Sequence, residues 1–320
     1  MKIMRVVVWM ASVATMVLGT SVVSGQGYPN KPIRIVAGAA GASTDFTGRL
    51  IAQGISGPLG QPVIVENRAS GNPRREIVAT ASPDGYTLLI DASGVWIGTL
   101  LEKTPYDPVK DFAPITITDR SPNIVVVNPS LPIKSIRDLI ALAKATPKKF
   151  NYGSGSTGSS PHLAAELFKA MAGVDMIRVP YKAFGVAVTD LIAGEIQVAF
   201  PSPNLVIPHI KSGRLRALAV TTALPSALFP SLPTVAASGL PGYEYSGISA
   251  ILAPARTPGA IIRRLNQEIV RVLNRNDVKE QFLSVATEVV ANSPEQLAAE
   301  IRSDMRRMGK VIKDAGIKAD

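Results

Sequence analysis

Beyond the first 25 residues, short apolar runs alternate with stretches of helical spacing, the mark of an α/β chain in which helices join strands. IRIVAG, from Ile33 to Gly38, predicts a strand, and Phe46, Leu50, Ile51 and Ile55 fall on one face of a helix from Thr44 to Ser56. PVIVEN (Pro62 to Asn67) and YTLLID (Tyr86 to Asp91) predict two more strands. NIVVVNP, from Asn123 to Pro129, opens a second series. It continues as helix Ile136 to Ala145, strand near Asn151, helix Pro161 to Met171, strand MIRVPY (Met176 to Tyr181) and helix Ala187 to Ala193. Strand QVAFPS (Gln197 to Ser202), helix Leu205 to Ser212 and strand LRALAVT (Leu215 to Thr221) complete it. The Pro-rich stretch from Leu224 to Gly242 reads as a connector. A late strand, Tyr245 to Pro254, precedes helices near Pro258 to Asn274, Asp277 to Val285 and Pro294 to Ala315.

Two such series with a late return strand predict two lobes that are not contiguous in sequence, with parallel-rich sheets flanked by helices. Lobe 1 takes residues 26–122 plus 246–320, and lobe 2 takes 123–245. Crossing segments near Asn123 to Val127 and Tyr245 to Ile251 join them. A ligand site belongs between the lobes, where strand carboxyl ends and domain interfaces meet.

The N-terminus reads differently. Lys2 and Arg5 precede an apolar run from Val6 to about Leu18, followed by small residues to Gly25. That is the pattern of a secretory signal peptide over residues 1–25, cleaved after Ser24 or Gly25, which places the mature protein in the periplasm. The apolar core falls short of the roughly 20 residues of a spanning helix. The chain has 0 Cys, so disulfides, a lipid-modified cysteine, thiolate nucleophiles and thiolate metal ligands are all excluded. The formal charge of +10 falls to +8 once Lys2 and Arg5 leave. Its basic residues are scattered apart from Arg74-Arg75, Arg263-Arg264 and a solvated face at Arg302, Arg306, Arg307, Lys310 and Lys313, and aromatics are only 5%. That distribution argues against a nucleic-acid partner.

GSGSTG at 153–158 satisfies G-x-G-x-x-G between a strand and a helix. A dinucleotide fold needs an acid at the end of the next strand, about 20 residues on. Asp175 instead precedes that strand, whose end carries Pro180, Tyr181 and Lys182. The loop makes better sense as an anion cradle: Ser154, Ser156, Thr157 and Ser159 supply hydroxyls, and small residues admit a ligand to the amides opening the helix. AGAAGASTD (Ala37 to Asp45) and DASG (Asp91 to Gly94) stand at two more strand ends. Three such loops predict several donor sets converging on one polar ligand. Catalysis finds little footing. There is no G-x-S-x-G elbow, and His162 and His209 have no acid beside them, so neither a triad nor a metal site is expected. Asp111 and Asp119 read as turn residues.

Several segments together resemble the Bug-type receptors of tripartite tricarboxylate transporters. They include YPNKPIRIV, LGQPVIVENR, ASPDGYTLL, PYDPVKDFAPIT, VVVNPSLPIKSIRDLIALAK, NYGSGSTGSSPHLAAELFKAMAGVDMIRVPYK, GRLRALAVTT and PSLPTVAASGLPGYE, in order along the mature chain. The resemblance implies a two-domain periplasmic-binding-protein fold, a Venus flytrap closing on a carboxylate held by backbone groups, hydroxyls and water. It implies delivery to the membrane components of such a transporter, with no cofactor and no catalytic residue, by a monomer. The binding residues it implies are Ala39, Ala40, Gly41, Ser43, Thr44, Asp45, Ala92 and Ser93 from lobe 1. From lobe 2 come Ser154, Ser156, Gly158, Ser159 and His162, with Tyr181, Lys182 and Ser202 beside them.

Three departures from the family pattern stand out. AGAAGASTD replaces a Pro-Phe start, NRASGNPRRE puts Arg74 and Arg75 near the rim, and Pro201-Ser202 follow QVAF where relatives often place an acid or amide. The last departure favours a simple carboxylate over an amino acid. The alternative reading is a sensory receptor that presents the bound carboxylate to a membrane sensor protein.

Overall fold

The computed structural model describes residues 27–68, 71–155, 158–181, 184–226, 228–314 and 316–317. The signal-peptide reading of residues 1–25 lies outside them. In chain order the strands are β1 (Ile33–Ala37), β2 (Val63–Asn67), β3 (Thr87–Ala92), β4 (Phe112–Pro122), β5 (Ile124–Val127), β6 (Asn151–Ser154), β7 (Ile177–Pro180), β8 (Val198–Ala199), β9 (Arg216–Val220), β10 (Ser246–Pro254) and β11 (Glu288–Val289). The α-helices are α1 (Ser43–Leu59), α2 (Asn72–Ala79), α3 (Gly94–Ile97), α4 (Ile136–Ala145), α5 (Ser160–Ala172), α6 (Phe184–Ala193), α7 (Ile207–Lys211), α8 (Gly259–Leu273), α9 (Asn276–Ser284) and α10 (Pro294–Asp314).

They form two sheets, ordered β11-β4-β10-β3-β1-β2 and β7-β6-β8-β5-β9. In the first, β1 buries Ile33, Ile35 and Ala37 on one face and Val36 on the other, where Arg34 stays partly exposed, and it runs parallel to β2 and β3. β10 returns late in the chain and lies antiparallel between β3 and β4. In the second, β6 runs parallel to β7 and β8, while β5 is antiparallel to β8 and β9. Both sheets are therefore mixed, each combining a parallel half with a strand that crosses over from the other unit.

The two crossings lie side by side. β4 passes into β5 through Asn123, and Tyr245 leads into β10. Thr221 ties them: its amide donates to the Asn123 carbonyl at 2.9 Å, and its own carbonyl accepts from the Tyr245 amide at 2.8 Å. α10 packs across α3 and α5, and there the buried Trp96 Nε1 donates to Asp304 at 2.8 Å. The largest apolar cluster accordingly runs from Leu89 and Trp96 through Met308 to Phe168 and Tyr243, joining the two sheets' cores.

The short α3 and β11 have no counterpart in the sequence pattern, and two further differences bear on the site. α2 occupies the segment carrying Arg74 and Arg75, to which the sequence pattern assigns no element; Pro73 fits its first turn, where a missing N–H costs nothing. β4, an 11-residue strand with buried Ile115 and Ile117, fills the stretch whose Asp119 was read as a turn residue. Pro114 and Pro122 disguise it. Both sit where the strand is irregular or ends, which is where proline is tolerated.

Candidate ligand-binding cleft

A cavity of about 430 Å³ opens between the two sheets. Gly41, Ala42, Ser43, Thr47 and Ala92 reach it from the carboxyl ends of β1 and β3 and the start of α1. Asp119 and Ser121 enter from β4, Gly247, Ile248 and Ser249 from β10. Ser160, Ser202, Asn204 and Leu205 close it from the other sheet's side, and Phe46, Phe282 and Val285 form an apolar wall.

The start of α1 is fixed from behind. Gly41 turns the loop with φ 81°, a conformation glycine adopts without penalty. Its amide donates to Asp45 Oδ2 at 2.9 Å, Asn67 Nδ2 donates to Asp45 Oδ1 and to the Gly38 carbonyl at 2.8 Å each, and the Gly38 amide donates to Thr44 Oγ1 at 3.1 Å. Desolvation raises the Asp45 pKa, yet the bonds from Asn67 and Gly41 and the Arg49 charge outweigh it and hold the group below its ordinary value. The N-cap is Ala42, which has no side-chain oxygen, so the first-turn amides keep their donors for something else at the positive end of the helix. α5 starts alike. Its N-cap Ser159 makes no side-chain cap bond and its hydroxyl is buried without a partner, while Ser160 Oγ donates to Asn123 Oδ1 at 2.8 Å.

The residues read from the sequence divide accordingly. Gly41, Ser43, Ala92 and Ser202 are brought together around the cavity. Ala39 and Ala40 are exposed on the same loop but do not line it, and Thr44 and Asp45 brace the loop from inside. Ser93 is buried, its amide donating to the Ile248 carbonyl at 2.9 Å. Ser154 is fully buried at the end of β6, accepting from Arg178 Nε at 2.8 Å. The Gly158 amide donates to buried His162 Nδ1 at 3.1 Å, which shapes the turn into α5. The Tyr181 hydroxyl donates to Asp190 at 2.7 Å; burial and that carboxylate push its pKa up to about 12. Ser156 and Lys182 lie outside the described residues. Thr47, Asp119, Ser121, Ser160, Asn204 and Ser249 were not anticipated. Of these, Ser160 was the most legible, because it follows directly on the Ser159 already singled out.

Arg74 and Arg75 are not rim residues. Both guanidiniums clamp the buried carboxylate of Asp91, Arg75 Nε at 2.7 Å, at the end of β3 just before Ala92. In the glycine motif at 153–158, Gly153 has a packing role. A Cβ on Gly153 would lie 2.5 Å from Ile196 and 3.1 Å from Ala187, so this glycine is needed for α6 to pack on β6. Among the described residues no cluster of three or more His, Cys, Asp or Glu could hold a metal ion.

A family profile described as the tripartite tricarboxylate transporter family receptor matches residues 47–317. The chain belongs to this receptor family. Protein BugT of Bordetella pertussis is 35% identical over 302 residues, covering 92% of this chain and 93% of that protein. An R. palustris protein solved with adipate superposes with a TM-score of 0.80 at 34% identity, covering 92% of this chain and all of that one (100%). MatC from Rhodopseudomonas palustris with bound malate gives a TM-score of 0.76 at 25% identity, over 89% of this receptor and 100% of MatC. The receptor thus has the two-domain α/β fold of periplasmic binding proteins that the sequence suggested, and no helix among its described residues is long and apolar enough to cross a membrane.

Proposed function

We propose that this receptor captures a small organic carboxylate between its lobes in the periplasm and delivers it to the membrane components of a tripartite tricarboxylate transporter. It acts as a monomer without catalysis. The lobes are residues 26–122 plus 246–320 and residues 123–245, and the hinge is the paired crossing at Asn123 and Tyr245. One observation carries the reading: α1 and α5 open on one cavity from opposite sheets, and neither N-cap uses a side chain on its amides. A carboxylate there would accept from both helix starts at once, and those contacts exist together only with the lobes closed, which is the differential affinity that closure needs. The adipate and malate in the two solved relatives support a carboxylate as the bound group.

Ser43 provides the test. It is the first residue of α1 and follows Ala42 at ψ 160°, so proline fits there and deletes an amide donor without breaking the helix. By calorimetry Ser43→Pro should weaken binding of the ligand that co-purifies with the protein by about tenfold to a hundredfold, the worth of one hydrogen bond to a charged group. Ser43→Ala, which keeps the amide, should lose less. Equal binding by both variants and the parent protein would refute the assignment.

A further inference from the structure

We infer that the ligand carries an ammonium group beside its carboxylate, and that Asp119 is the residue that reads it. This rests on the cleft being the ligand site, and deepens that reading by naming the substrate class.

Asp119 is the one ionisable side chain among the described residues lining the cavity, and it is only 4% exposed. The β4–β10 pairing shifts register immediately beyond Asp119↔Ser249, so that Thr118 is an extra residue in β4. Such a bulge re-aims the neighbouring side chain and recurs beside binding sites. Thr118 Oγ1 donates to Asp119 Oδ1 at 2.7 Å and Thr47 Oγ1 at 3.4 Å, and the Ser249 hydroxyl also bonds to the carboxylate, so its partners are neutral hydroxyls. No Lys, Arg or His among the described residues forms an ion pair with it, unlike Asp45 and Asp91, which have arginines. A carboxylate buried without a cation is costly unless something completes it, and burial raises its pKa.

The cleft therefore offers charge of both signs. The positive starts of α1 and α5 open on it, and on β4, against Thr47 of α1, stands a carboxylate that no cation among the described residues neutralises. A ligand with only negative charge would satisfy the helices and be repelled by Asp119; an amino acid would satisfy both. Two unit charges a few ångströms apart in a partly buried site change affinity by on the order of tenfold to a hundredfold in either direction. The absence of an acid after QVAF argued for a simple carboxylate, but Asp119 supplies a counter-charge from a different strand.

Matched acids test this on the purified protein: 2-aminoadipate against adipate, aspartate against succinate, and γ-aminobutyrate against butyrate, measured by calorimetry. In whichever pair binds, the amino acid should bind at least about tenfold more tightly. Asp119→Asn, nearly isosteric, should abolish that preference while leaving the melting temperature of the free protein unchanged or higher. A plain acid that binds as tightly as its amino counterpart overturns the role of Asp119 and leaves the receptor reading intact. So does a preference for the plain dicarboxylate that Asp119→Asn removes, which would mean a protonated Asp119 donating to a second ligand carboxylate. If none of the six acids binds, and native mass spectrometry finds no co-purifying acid, the receptor reading itself fails.

Discussion

Asp91→Asn is the substitution whose cost follows most directly from the geometry. The Asp91 side chain is 1% exposed, and the Arg74 and Arg75 side chains that meet it are 7% and 11% exposed. The amide keeps the shape and removes the charge, leaving two guanidiniums packed against each other with no anion between them. Removing one partner of a buried ion pair costs roughly 3 to 5 kcal/mol, and here two cations lose the same partner, so the upper end applies. At about 2 to 4 °C per kcal/mol for a chain of this order, the melting temperature should fall by roughly 10 to 20 °C. Burial raises the Asp91 pKa, but Arg75 and Arg74 outweigh it and hold it below the ordinary value of 3.8. The contribution is therefore fully present above that pH and is lost as pH falls through the lower folded value, and the Asn variant should lack this acid-side loss. Calorimetric unfolding from pH 7 to pH 3 measures both. A fall of less than about 1 kcal/mol at pH 7 would mean that the arginines find water in solution, and that this clamp does not set the end of β3.

Other substitutions probe the same framework. Gly54→Ala normally favours a helix interior, but here the new Cβ would sit 2.5 and 2.6 Å from the two methyls of buried Val272 in α8. Overpacking should win by about 1 to 2 kcal/mol in a urea melt, and adding Val272→Ala should restore most of it. Trp96→Phe removes the donor to Asp304 in a buried site and should cost about 1 to 3 kcal/mol in the same assay. Asp45→Asn should loosen the loop before α1. Because Asp45 titrates below its ordinary 3.8, the difference from the parent protein should be constant above that pH and shrink as pH falls through the folded value.

Elements with a strong local period were legible in the sequence. α4 occupies the span its pattern predicts, and α8, α9 and α10 start and end within a residue or so of theirs. β4 was not legible, because two prolines and the polar residues of ITITDR mask a strand buried on both faces by tertiary neighbours. With β4 hidden, Asp119 looked like a turn residue rather than a carboxylate in the cleft. The site was legible only where backbone shape dictates residue type. Gly41 and Ser43 follow from a tight turn into a helix, whereas Ser249 and Asn204 reach the cavity through sheet register and a short 3₁₀ turn, which no local pattern encodes. The hydroxyl-rich 153–158 segment misled in part: Ser154 serves the sheet end and Arg178, while the cavity takes Ser160, the next helical residue.

A crystal structure of the protein with its co-purified or calorimetrically identified ligand tests most directly whether helix starts from opposite sheets trap one acid. A carboxylate oxygen should lie within about 3 Å of an amide in the first turn of α1 and of one in the first turn of α5. An acid bound elsewhere, or held by one lobe alone while the cavity stays filled with water, would contradict it.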